Sequence, residues 1–451
     1  MGLYDRAKLL LEGSLRAEPD LSAVAPEDWA TRMSDLGAVL RARGDLAGAQ
    51  RHFEAALTRL RQVHTGPHRR VAGILHNLGE CLYGRGELDA AKERIEQSLA
   101  MHRGLGEDTR ESVAFNLTVL ARIAAERSEL EAAERYLRDA VEILREVHPE
   151  GHPELSGMLG SLGQVFFRQR KLEEAEDLAR QALEEARRML GEEHPGVAVC
   201  INNLAVAVDE RGEHATAERL FRDAIAMHER LDPKDPNIGN PMSNLATMLR
   251  TRGDHAEAAA LYERVLEVDR AVVGERHPKY GRTMLGIGRA RAAMRDWGAA
   301  ERWGRKALAV FRAVHPPGHR DIAFTTRHLA EVLIEEGKFS ESQALARESA
   351  LALDALGGDP GEAGYARALL GWSIAAQVVH AEEHEEAIRE LAAAVEQLRA
   401  STLRLSKQRL RRVREWLAVV YDRSGRAELA GELRRENEAD RDPGEPGARH
   451  P

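Results

Sequence analysis

Aromatic residues make up only 4% of this chain, and cysteine occurs just twice, at Cys81 and Cys200. Two cysteines cannot build a disulfide framework. Both stand at apolar helical positions and read as small core fillers, which suits a reducing compartment. No run of eighteen apolar residues occurs, and the opening residues lack a signal-peptide profile, so the expected location is the cytoplasm, without membrane contact. An excess of basic charge is missing too: the net charge is -9, which gives no bulk field for nucleic acid. What is abundant is charge of both signs, 31% of residues, as long exposed helix faces require.

The main signal is repetition. Gly44, Gly86, Ser128, Arg170, Gly212, Gly253, Arg295, Gly337, Glu382 and Gly425 mark equivalent turns, 41 to 45 residues apart. Eight residues before each mark stands Leu or Ile, from Leu36 to Leu417. Seven before, the residue is always Gly or Ala; five after, it is Ala in nine copies and Ser342 in the other. Apolar residues recur at helical spacing on both sides of each mark, as Val208 and Leu204 do before Gly212 and Leu220, Phe221 and Ala224 after it. Each copy is therefore a helix–turn–helix hairpin. The small positions let its two helices cross closely, and a bulky residue there would overpack at roughly 1–3 kcal/mol.

The Leu-Gly/Ala pair on the first helix and the Ala five residues into the second resemble the tetratricopeptide repeat. The period is longer than the usual 34 or so residues. Gly191-Glu-Glu-His194-Pro195, followed by Asn202-Asn203-Leu204-Ala205, is similar to the long repeat of kinesin light chains and their bacterial relatives. Pro153, Pro195, Pro236 and Pro278 hold the helix-start place seventeen residues before their marks. The resemblance implies an all-α fold, a right-handed α-solenoid of about ten hairpins.

Residues 1–25 read as a half repeat, a lone second helix opening at Gly2, followed by a link. Residues 26–354 form the regular array, and 355–364 a Gly-rich joint where a kink or a change of pitch is expected. Residues 365–436 hold divergent repeats, and 437–451 are polar and Pro/Gly-rich, as in a disordered tail.

Motifs of catalysis and metal binding dissolve into the repeat. His64/His68, His148/His152 and His315/His319 have metal-ligand spacing, yet each pair falls in a link, where the family's His-Pro marks a helix start. His380-Ala-Glu-Glu383-His384 matches a zinc-peptidase pattern but spans a turn mark and has no third ligand. Gly286-Ile-Gly288 lacks the third glycine and the strand of a dinucleotide loop. Arg43-Gly-Asp45 and Arg252-Gly-Asp254 are turn marks, not adhesion tripeptides. The basic run Arg404, Lys407, Arg409, Arg411, Arg412 and Arg414 reads first as a solvated helix face, with a patch for an acidic partner or another subunit as the alternative and nucleic acid behind both. Neither an enzyme nor a cofactor or metal site is expected.

The resemblance also implies that first helices line a concave groove, through positions ten and six residues before each mark. These hold His76 and Glu80, Thr118 and Arg122, Gln164, Asn202, Ser243 and Thr247, Arg289, Arg327 and Glu331. Asn202 matches the family's peptide-holding amide, which pairs with peptide N–H and C=O together. Arg168 and Arg250 join Arg122, Arg289 and Arg327 as inner cations, suited to an acidic or C-terminal carboxylate ligand. The expected function is a scaffold or adaptor that holds a protein or peptide segment, with self-association open. The competing expectation is the C-terminal docking or sensory part of a larger bacterial signalling protein, such as a kinase.

Overall fold

The computed structural model describes residues 25–233, 235–378, 380 and 384–440. Among these residues there are twenty α-helices and no strand. They fall into two compact units divided between Leu231 and Asp232. The first unit holds α1 (Pro26–Ala42), α2 (Leu46–Arg61), α3 (Arg69–Gly84), α4 (Leu88–Leu105), α5 (Arg110–Glu126), α6 (Leu130–Val147), α7 (Pro153–Arg168), α8 (Leu172–Leu190), α9 (Pro195–Glu210) and α10 (His214–Leu231). The second holds α11 (Gly239–Arg252), α12 (His255–Val272), α13 (Pro278–Ala293), α14 (Trp297–Val314), α15 (Arg320–Glu335), α16 (Phe339–Leu356), α17 (Pro360–Ala375), α18 (Glu385–Arg399), α19 (Arg404–Arg423) and α20 (Ala427–Ala439). Odd-numbered helices are the first members of hairpins and even-numbered helices the second. Within each unit consecutive helices pack side by side.

The turn marks carry the backbone reversal. Gly44, Gly86, Gly212, Gly253, Gly337 and Gly425 all have positive φ, between 74° and 111°. Where the mark is not glycine, Ser128, Arg170 and Arg295 adopt the same left-handed conformation at φ 60–63°. The topology imposes that geometry on whatever residue stands there. The adhesion-like Arg43-Gly44-Asp45 is part of this device: Asp45 caps α2 by accepting a 2.8 Å hydrogen bond from the Gly48 N–H.

The small positions meet where hairpins cross. Ala133, Ala175 and Ala217 are at most 2% exposed. A Cβ placed on Gly79 would lie 2.5 Å from Ile95 Cδ1 and 3.3 Å from the Ala91 carbonyl oxygen. Gly37 leaves the same room for the Phe53 ring, and Gly286, from the dinucleotide-like triplet, leaves it for Tyr262. The large buried residues between them, Phe53, Phe221 and Phe311 foremost, fill the layer between hairpins.

Helix starts use histidine. The Nδ1 atoms of His152, His194, His277 and His319 accept the backbone N–H two residues on, at 3.0–3.2 Å. Each imidazole thereby satisfies one orphan donor of the first turn.

The structure moves one sequence-based boundary and shows how the Gly-rich joint is held. α20 runs through Ala439, so residues 437–439 are helical rather than tail, and Asn437 Nδ2 donates to the Arg411 carbonyl at 3.0 Å. At the Gly-rich joint Asp359 caps α17 through the Gly361 N–H at 2.8 Å and accepts from the Thr402 N–H at 3.0 Å and from the Ser401 hydroxyl. The half repeat up to residue 24, the mark Glu382, the centre of the zinc-peptidase-like stretch (381–383) and the tail from 441 lie outside the described residues.

Candidate ligand cavity

In the first unit the predicted groove residues answer one another. Glu80 on α3 accepts from Arg122 on α5 at 2.7 Å and from Arg41 on α1. Burial would raise the Glu80 carboxyl, but Arg41, His76 and Arg122 outweigh it and hold it below the usual carboxylate range. His76 Nδ1 sits 3.2 Å from Asn116 Oδ1, and burial pushes the imidazole down. Thr118 bonds back to its own helix through the Ala114 carbonyl at 3.0 Å. Arg168 donates to the Ala125 carbonyl at 2.6 Å, tying one hairpin to the turn of the one before. Gln164 is exposed. Asn202 is only 8% exposed, with its amide 3.4 Å from Asn203 Oδ1, so the side chain matched to peptide holding is largely covered.

The second unit is different. Its first helices α11, α13, α15, α17 and α19 contribute to one open cavity of about 1230 Å³. Ser243, Thr247, Arg250, Arg289, Arg327 and Glu331 all line it, so the sequence placed six side chains on one surface. Eight basic side chains face five acidic ones across the lining, in a chain whose net charge is negative. Thr247 Oγ1 meets the Tyr262 hydroxyl at 2.7 Å, bringing a second-helix residue to the wall.

Burial pushes the Arg327 guanidinium down to about 9, with Arg409 and Arg289 adding to the effect. Arg327 pairs with Glu362 and lies over the Phe324 ring at 4.9 Å. Arg289 is pushed down to about 10 by burial and then by Arg250, and remains a cation at neutral pH. His328, buried beside them, is held to about 3 by burial and by Arg289, Arg327 and Arg250, and so is neutral.

Sequence reasoning missed His328, Tyr262, Arg409 and Arg412. The basic run is not simply a solvated face. Arg412 donates to Glu331 at 3.2 Å and Glu335 at 2.7 Å, and Arg409 to Glu362 at 3.2 Å. Arg414 is 5% exposed and pairs with Glu436 at 3.2 Å. The pairing of Arg412 spans 77 to 81 residues, which no local pattern shows. The one available sign was Arg412 and Trp416 at i, i+4, which the structure stacks at 4.7 Å.

The histidine pairs do gather with carboxylates: Glu27 with His64 and His68, Glu111 with His148 and His152, Asp321 with His315 and His319. Glu27 is 3.0 Å from His64 Nε2, and Glu111 is 3.3 Å and 3.6 Å from the two Nε2 atoms of its pair. In His152 and His319 the Nδ1 lone pair already holds a backbone N–H, so in the neutral ring Nε2 carries the proton. In two of the clusters the preceding histidine is hydrogen-bonded to a first helix, His64 to Glu27 and His148 to Glu111. His68 makes no such cap.

No helix among the described residues is long and apolar enough to cross a membrane. No curated protein matches the chain. Among solved structures, the apo form of RapI is 14% identical at a TM-score of 0.58, covering 82% of this chain and 97% of its own. A Rap protein complexed with competence and sporulation factor is 14% identical at a TM-score of 0.50, covering 83% and 100%. BtubC from P. vanneervenii is 22% identical at a TM-score of 0.44, covering 52% and 95%. The family profile described as Tetratricopeptide repeat matches residues 154–230 and 237–313, and that described as MalT-like TPR region matches residues 22–150. With these profiles spread over most of the array of close-crossing hairpins, the chain belongs to the tetratricopeptide repeat family.

Proposed function

We propose that the chain is an interaction scaffold whose second unit holds a peptide segment of a partner protein in its cavity. The observation that carries this reading is the convergence of five successive first helices on one open space of about 1230 Å³ whose wall mixes charged and apolar side chains. Pockets for single small molecules occupy roughly 300–1,000 Å³; this one suits a longer occupant. Its hydroxyls and guanidinium groups are donors that an extended peptide's carbonyls require. The fold likeness to a Rap protein solved with competence and sporulation factor supports the same use of the fold. No step in this role requires a reaction, a cofactor or a metal, and a partner held this way fits the cytoplasm.

The test is a selection of random displayed peptides against the full chain. Thr247 is exposed and lines the cavity, so Thr247→Trp fills it without disturbing the core. Selected peptides are expected to lose at least ~tenfold in affinity for that variant, since displaced contacts of this kind are worth more than about 1.4 kcal/mol. Leu351, 65% exposed and absent from the lining, gives the control Leu351→Ala. Undiminished binding to Thr247→Trp refutes the cavity as the site.

A further inference from the structure

Among the described residues three links between hairpins set two histidines against one carboxylate, and the three are not equivalent. The histidines share a register, 22 and 18 residues before the turn mark: His64 and His68, His148 and His152, His315 and His319. In the first two links the carboxylate comes from the preceding first helix, Glu27 of α1 and Glu111 of α5, each seventeen residues before its own mark. In the third it is Asp321, two residues beyond His319.

The second histidine of each pair makes the difference. His152 and His319 commit Nδ1 to the backbone N–H of Glu154 and of Asp321. A neutral ring that accepts at Nδ1 carries its proton at Nε2 and has no lone pair there for an ion. Seating an ion at that Nε2 moves the proton to Nδ1, against the N–H that now donates to it. His68 starts α3 in the same register and makes no cap. Among the described residues its Nδ1 is buried without a hydrogen-bond partner, and its Nε2 lies 3.9 Å from the nearest carboxylate oxygen. The proton of His68 can therefore sit on Nδ1 and leave the Nε2 lone pair open.

The surroundings suit a cation at that lone pair. Glu27 Oε1 stands 3.0 Å from His64 Nε2 and 3.9 Å from His68 Nε2. The other oxygen, Oε2, accepts from Arg70 at 3.0 Å, which orients the carboxylate. Arg70 is 48% exposed, so water screens its charge. Zinc holds imidazole nitrogen and carboxylate oxygen at about 2.0–2.2 Å, so its tetrahedral ligand atoms stand roughly 3.3–3.6 Å apart. The two measured separations bracket that spacing. The imidazoles stack at 3.7 Å between centroids with 12° between planes. An ion draws both in-plane lone pairs to one point, so the rings splay from this stack on binding. Both side chains are about a quarter exposed, which gives an ion a way in.

We propose that Glu27, His64 and His68 bind one divalent transition-metal ion of the zinc class, through Oε1 and the two Nε2 atoms. Imidazole with carboxylate suits zinc and its neighbours, whereas calcium and magnesium take oxygen ligands. Three protein ligands leave a fourth position to water. The ion ties the first turn of α1 to the link before α3 and so fastens the first hairpin to the second. The site belongs to the first unit and shares no residue with the cavity of the second.

The experiment takes the full chain, untagged and stripped with a chelator, and titrates it with Co²⁺, whose visible absorption reports coordination. Zn²⁺ is then added as the competitor. One site per chain is expected to saturate, and Zn²⁺ is expected to displace Co²⁺. Glu27→Gln, His64→Gln and His68→Gln are each expected to weaken binding at least ~tenfold, since loss of even an outer partner costs roughly 10–100-fold. His152→Gln and His319→Gln are expected to leave it unchanged. Zn²⁺ is also expected to raise the thermal midpoint of the wild type and not that of His68→Gln. The His68 side chain has no hydrogen bond to lose, so His68→Gln is expected to fold as the wild type does, which circular dichroism checks.

No change in Co²⁺ absorption overturns the proposal. So does undiminished binding in folded His68→Gln or in Glu27→Gln. Binding lost equally in His152→Gln overturns it too, because the open lone pair of His68 would then not be what selects the site.

Discussion

Ser342 donates a hydrogen bond from its hydroxyl to the carbonyl of Ala330, at 2.8 Å, across the two helices of one hairpin. Ala330 is the small residue seven before the Gly337 mark and Ser342 the small residue five after it. The bond shows directly that these two positions face each other at backbone contact distance. It also explains how a serine stands where the other copies have alanine: its hydroxyl, fully buried, has an acceptor in the facing backbone.

The close crossing is testable at Gly79. A Cβ there meets Ile95 at 2.5 Å and the backbone of α4 at 3.3 Å. Gly79→Val is expected to cost about 1–3 kcal/mol in urea unfolding. Adding Ile95→Ala should recover part of that loss, giving a coupling energy in a double-mutant cycle. Strict additivity would mean the two side chains do not compete for space.

Arg295 holds φ 60° at a turn mark and is exposed, and its side chain makes no hydrogen bond or ion pair among the described residues. Glycine adopts that conformation without steric cost. Arg295→Gly is expected to stabilise the chain by about 0.5–1 kcal/mol, the left-handed penalty less the entropy glycine adds to the unfolded state. Thermal unfolding with unchanged helix content would show it.

Stability should depend on pH through His328. Its folded value is about 3 against an ordinary 6.5, so from pH 6.5 downward the unfolded chain binds a proton that the folded chain does not. Stability is therefore fully present above pH 6.5 and falls by about 1.4 kcal/mol per pH unit between 6.5 and 3 from this group alone. Comparing the pH dependence of the urea midpoint in wild type and His328→Leu checks this; the variant's curve should be flatter over that window. His76 and His102 are lowered by burial as well and add in the same direction.

Cys81 and Cys200 are buried free thiols. Burial pushes Cys200 up to about 11, so at pH 8 almost no thiolate is present. Neither cysteine is expected to react with a disulfide reagent in the native state at an appreciable rate, and both should react within the dead time in urea. Fast native modification of Cys200 would mean that α9 opens locally.

Much of the fold was legible because it is written in short-range terms. A turn mark, a small residue before it and another after it lie within a dozen or so residues, and each constrains one hairpin by sterics alone. The conformation of the marks follows even where Ser128 or Arg170 replaces glycine, since the crossing leaves the backbone no other path. The histidine links were legible too, as helix starts, although not that His148 and Glu111 would share a hydrogen bond. The cavity was partly legible. Ser243, Thr247, Arg289, Arg327 and Glu331 follow from register alone, whereas Asn202, picked by the same register, is largely covered.

By itself the amino-acid sequence determined the hairpins and the turns described, because local periodicity and side-chain size decide these. Only the tertiary structure decided which charges meet. Glu80 answers Arg122, but Glu331 answers Arg412 and Tyr365, and Arg289 is left open. Ion pairing depends on distances between helices far apart in the chain, which no local pattern records. That choice separates a first unit in which Glu80 is shared by Arg41 and Arg122 from a second in which Arg250 and Arg289 have no ion pair among the described residues.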